Sequence, residues 1–75
     1  MTANNIIDLK GIAWPFCLLE CNRMADQMEK GETLEVLVGD SEVVEDIVKI
    51  FNRSPEHSIT WNRESDHFRI MIMRH

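Results

Sequence analysis

Trp14-Pro15-Phe16-Cys17 is the stretch on which the reading of the fold turns. Proline fixes its own φ and has no N–H to donate, so Pro15 suits the first turn of a helix, where that amide would go unpaired anyway. Downstream, Cys17, Cys21, Met24 and Met28 recur at i, i+4, i+7 and i+11. Leu18 and Ala25 widen this stripe, and Glu20, Arg23, Asp26 and Gln27 take the opposite side. The period predicts an amphipathic helix of about 14 residues. Gly31 stands where a C-terminal stop is expected. Upstream, Asn5-Ile6-Ile7-Asp8-Leu9 is rich in strand formers and ends at Lys10-Gly11, which predicts a first strand.

Working outward, Thr33 to Val38 reads as a second strand broken by Gly39. Asp40 or Ser41 can cap a second helix whose first turns are acidic through Glu42, Glu45 and Asp46, as the helix dipole favours. Val43, Val44, Ile47, Ile50 and Phe51 form its buried stripe, and Ser54-Pro55 ends it. His57 to Trp61 is a third strand, residues 62–66 a turn, and His67 to Met73 a fourth strand closing a hairpin. In that last strand Phe68, Ile70 and Ile72 share one face while Arg69, Met71 and Met73 share the other. The order is β-α-β-α-β-β. Right-handed crossovers would put both helices on one face of a four-stranded mixed sheet, an α/β two-layer sandwich with its other face open. Period-two counting sends Leu37, Met71 and Met73 to that open face, either as a partner surface or as scattered apolar residues without a role.

Composition bounds the function. Seventy-five residues predict a single domain over residues 1–75 with a modest core. The chain is 44% hydrophobic and 28% charged, as globular proteins are. No apolar run is long enough to span a bilayer, so no membrane role is expected. Met1-Thr2-Ala3-Asn4-Asn5 lacks a basic leader region, and a cytoplasmic setting is the expectation. A net charge of −5 argues against direct nucleic-acid binding. From Ile47 to His75 the balance is mildly basic, with Lys49, Arg53, Arg63, Arg69 and Arg74 against Glu56, Glu64 and Asp66. That part could dock an acidic protein or simply be solvated.

Cysteine is the strongest nucleophile present. Its thiolate is the reactive form, and a helix N-terminus favours that anion. Cys17 lies about two residues inside the first helix and is the candidate reactive residue. Its spacing also fits the core stripe, and both readings stand. Cys21, a turn further in, is expected to be buried and inert. The pair at i, i+4 is poorly placed for a disulfide. His57, His67 and His75 are scattered and lack zinc-ligand spacing, so no metal or other cofactor is expected, and His57 and His67 are read as solvated strand-end residues. Trp14 precedes proline and is extended. It is either an exposed anchor for a partner, together with Pro15 and Phe16, or folded back on the sheet edge.

At these residues the chain resembles the TusA/SirA-like (YedF-like) family of small sulfur carriers. Asp8-Leu9-Lys10-Gly11-Ile12 is similar to the family's D-L-[RK]-G-L opening, with Pro15 and Leu18-Leu19 following at its spacing. Lys30-Gly31-Glu32-Thr33-Leu34-Glu35-Val36 resembles K-P-G-E-x-L-E-V without the proline, Asp46-Ile47 the family's D-I pair, and Phe68-Arg69-Ile70 its closing strand. The resemblance runs nearly end to end and implies the same β-α-β-α-β-β sandwich. It implies a persulfide carried on the cysteine of a C-P-x-P helix start and passed between donor and acceptor proteins. Here the cysteine position holds Trp14, the second proline position holds Cys17, and the Ser54-Pro55 region stands where the family has a glycine after helix two. Two functions follow. One is sulfur relay with sulfur-donor or sulfur-acceptor partners, on Cys17 displaced from the usual position. The other is a non-catalytic binding module using Trp14, Phe16 and the open sheet face.

Overall fold

The computed structural model describes residues 4–75, so the leader reading of residues 1–3 lies outside the described residues. The elements are β1 (Asn4–Asp8), α1 (Phe16–Asp26), β2 (Thr33–Val38), α2 (Ser41–Asn52), β3 (His57–Arg63) and β4 (Phe68–Arg74). The sheet runs β1-β2-β4-β3, with β1 parallel to β2 and the other pairs antiparallel. This is the α/β sandwich of four mixed strands and two helices that the pattern implies.

Alternation along β2 makes the layers. Leu34, Val36 and Val38 are buried, while Thr33, Glu35 and Leu37 are only partly so. The register places Leu34 beside Ile72 and Val36 beside Ile70, which joins the buried positions of two strands into one apolar face. The helices cover that face with Cys17, Cys21 and Ala25 from α1 and Val43, Val44, Ile47 and Phe51 from α2. Five of the large core side chains, Leu34, Val36, Ile47, Ile70 and Ile72, have no exposed surface. Burying each contributes about 1.5–3 kcal/mol.

β1 and β4 are each shifted by one residue from the expected Asn5–Leu9 and His67–Met73, and three further boundaries differ from the pattern. α1 ends at Asp26, because the Gln27 and Met28 amides bond back to Met24 and Ala25 in a tightened last turn. Met28 is buried from that turn and not from the helix. Gly31, at φ +86°, serves the entry to β2, where its amide bonds the Arg74 carbonyl at 2.8 Å. β3 extends to Arg63, because Asn62 and Arg63 continue the pairing with β4 as far as Phe68.

The histidines also depart from expectation. His57 is half-buried, with Nδ1 2.7 Å from the Ser54 hydroxyl and its ring edge-on to Phe51. His67 is half-buried too, 2.7 Å from Asp66. Each is held by a neighbour close in sequence rather than left to solvent. On the uncovered face of the sheet, Met73 is exposed, Leu37 and Met71 are half-buried, and Arg69 bridges Glu35 and Glu64.

Candidate functional site

The loop between β1 and α1 builds the site. The Leu9 amide still bonds the Leu37 carbonyl at 2.8 Å, prolonging the parallel pair by one residue. Gly11 then turns the chain at φ +84°, with nothing near enough to crowd a Cβ, so the position calls for glycine by backbone conformation alone. The Trp14–Pro15 peptide is cis. Pro15 sits at the flanking position of α1 rather than inside it, and its carbonyl accepts from the Leu18 and Leu19 amides at 3.0 and 3.1 Å. Phe16 opens the helix and Cys17 is its second residue.

Cys17 lies in the core and at the helix start at once. Its side chain is 1% exposed, and its amide donates to the Ala13 carbonyl at 3.2 Å. Even so, Cys17 lines a cleft of about 260 Å³ together with Gly11, Ile12, Gly39 and Asp40. The cleft lies past the C-terminal ends of the parallel strands β1 and β2, where both helices begin, which is where open α/β sheets place their ligands. α1 has neither a side-chain cap nor an acidic residue of its own in its first turn. Burial, with Cys17 beside it, pushes the Cys21 thiol up to about 12, which keeps it protonated at neutral pH.

Of its two expected positions, Trp14 takes the exposed one and does not fold back on the sheet edge. It is 64% exposed and leans across to α2, where its indole N–H donates to Asp46 Oδ2 at 3.2 Å. Leu18, Lys49, Ile50 and Arg53 complete a groove of about 320 Å³ beside it. Phe16 is similarly exposed, Pro15 is exposed, and Ile12 and Leu19 extend the apolar surface around them. A second hollow of about 490 Å³ runs under Phe16 and Leu19 toward Ile7 and Arg23. The structure therefore brings Trp14, Pro15, Phe16 and Cys17 to one end of the molecule, with the aromatics outward and the sulfur inward. Asp46, Lys49 and Leu19 were not among the sequence-derived site residues. The spacing of Asp46, Lys49 and Arg53 along one helical face was the available signal. Among the described residues, no three His, Cys, Asp or Glu side chains form a group that could hold a metal ion.

Comparison with known proteins fits this geometry. Residues 5–74 match the family described as Sulfurtransferase TusA. A protein of Archaeoglobus fulgidus named as a sulfur carrier is 28% identical over 69 residues, which cover 92% of this chain and 94% of that protein. The crystal structure of a SirA-like protein from Desulfitobacterium hafniense superposes with a TM-score of 0.76 at 17% identity, covering 91% of this chain and 93% of that one. That structure shares the fold.

Proposed function

This chain belongs to the TusA sulfurtransferase family, and we propose from that premise that it works in sulfur relay with Cys17 as the sulfur-bearing residue. The observation that carries the reading is the position of Cys17, second in α1 and lining the cleft at a helix start without a side-chain cap. Trp14 cannot hold sulfur, and Cys21 is held protonated by burial and does not line the cleft. Cys17 is thus the thiol at the helix start from which a relay could operate.

The step is an exchange without net oxidation. The Cys17 thiolate attacks the outer sulfur of a donor's persulfide. A new S–S bond forms on Cys17, the donor's S–S bond breaks, and the donor cysteine leaves as thiolate. The proton lost from Cys17 goes to solvent or to that leaving thiolate. The cleft has room for one added sulfur atom beside Gly11 and Gly39, and the α1 dipole favours the resulting anion. Access requires displacement of the Ile12 loop or the first helical turn, since Cys17 is closed to solvent at rest. Sulfur-donor and sulfur-acceptor proteins would dock on the exposed Trp14, Pro15 and Phe16, which rim the same end.

A second reading has its own support in the exposure of Trp14 and Phe16 beside a buried Cys17. In that reading the chain binds partners of a relay without carrying sulfur. Incubation with a persulfide-loaded sulfurtransferase bearing labelled sulfur separates the two. Relay predicts label on the wild type and on Cys21→Ser, none on Cys17→Ser, and release of the label to an acceptor thiol. The binding reading predicts no label on any variant and a donor complex weakened by Trp14→Ala but not by Cys17→Ser.

A further inference from the structure

The sheet has two edges, and they are unlike. β1 is five residues long and includes Asp8. β3 is seven residues long, His57-Ser58-Ile59-Thr60-Trp61-Asn62-Arg63, with no proline, lysine or carboxylate. Proteins protect such edges with charge, proline, bulges or short strands. β3 has only Arg63 at its end, its register with β4 is unbroken, and no strand covers its outer side among the described residues. In a chain of net charge −5, it is a strip free of acidic groups along which two copies can approach.

The hydrogen bonds decide which groups are free. The Glu64 amide donates to the His67 carbonyl at 2.8 Å, and the His75 amide to the Glu56 carbonyl at 2.7 Å. Antiparallel ladders alternate, so Ser58, Thr60 and Asn62 direct their amides and carbonyls to β4. Ile59, Trp61 and Arg63 therefore turn theirs outward. Their side chains share the helix-covered side of the sheet, because Ile59 and Trp61 stand beside the buried Ile72 and Ile70. Trp61 is nearly half exposed and is steadied by an edge-to-face contact with Phe68 at 6.0 Å.

We propose that β3 pairs with β3 of a second copy of this chain, antiparallel and centred on Thr60. In this register Ile59 exchanges both backbone bonds with Trp61 of the partner subunit, and the Arg63 amide reaches the carbonyl of His57 of the partner subunit. Shifting the centre to Ile59 or Trp61 leaves an outward residue at one end unpaired, so the Thr60 register uses the most free groups. It also sets a β-branched side chain beside an aromatic one on the same face, a favourable cross-strand pair. The dyad runs perpendicular to the sheet, which becomes eight-stranded with all helices on one side. One strand pair covers less than the roughly 1,600 Å² of a typical stable interface, so the dimer is weak and concentration-dependent. No β3 residue lines the cleft at Cys17, so sulfur transfer and strand pairing can fail independently.

Sedimentation equilibrium across a wide concentration range tests this, with amide exchange by NMR as the second readout. The expected result is a rise in mass from 8.8 kDa toward twice that value. The Ile59 and Trp61 amides should gain protection as concentration rises. Trp61→Lys, at an exposed position, should hold the protein monomeric while leaving its folded spectrum intact. A protein that stays monomeric at every concentration, with those two amides exchanging freely, would overturn the proposal. So would a dimer that Trp61→Lys leaves unchanged.

Discussion

The two helices begin in opposite ways. α2 is completed by its own residues: Asp40 accepts the Glu42 amide at 2.9 Å, Glu42 sits in the first turn and Lys49 in the last. α1 starts at Pro15 with no side-chain cap and no acid, and presents Phe16 and Cys17 instead. Caps and dipole partners stabilise a helix. Their absence from α1 leaves a helix start without a side-chain cap beside the cleft that Cys17 lines, its Cys17, Leu18 and Leu19 amides taken by backbone carbonyls. α2 is thus the better anchored helix, and α1 is the one that presents the proposed sulfur-bearing thiol.

The largest expected effect is on the anchor. Ile47→Ala should lower the unfolding free energy by about 2–5 kcal/mol in denaturant titration, whereas Cys17→Ala should cost only about 1 kcal/mol. Equal losses would break the division between the helices.

Next comes pH. The folded state raises the Cys21 thiol from 9.0 to about 12. The unfolded chain therefore loses this proton first, and the stability it contributes is present below about pH 9 and falls away between about pH 9 and 12. Cys21→Ala should flatten that fall in denaturation curves taken across the range. An unchanged slope would contradict the assignment.

Smaller effects probe the helix starts directly. Asp40→Ala should cost about 0.5–2 kcal/mol. Phe16→Glu supplies α1 with the acid it lacks and should change helix stability favourably by about 0.3–1 kcal/mol, while lowering the yield of persulfide on Cys17. Better transfer in this variant would argue against a role for the helix end.

Much of this architecture was legible because burial leaves a period in the sequence. β2 alternates because one side faces the helices, and α2 repeats at helical spacing around Val43, Val44, Ile47 and Phe51. The end of α1 was not legible, since Met28 continues the helical stripe while being buried from a turn. The last residues of β3 are paired through backbone groups, which no side-chain pattern records. At the site, the helix start and its aromatic-proline-thiol composition could be read, and so could the two possible positions of Cys17. The Ala13 carbonyl that takes the Cys17 amide could not, nor could the bond between Trp14 and Asp46, which lie 32 residues apart. Contacts between segments distant in sequence have no local signature.

The account rests on Cys17 being the thiol that can be reached in the folded protein. Peptide-resolved alkylation under native conditions, followed over time, measures this directly. The account predicts that Cys17 is modified faster than the protein unfolds globally, through local opening at the cleft, while Cys21 is modified only at the global unfolding rate. Two cysteines that react together, and only at that global rate, would contradict it.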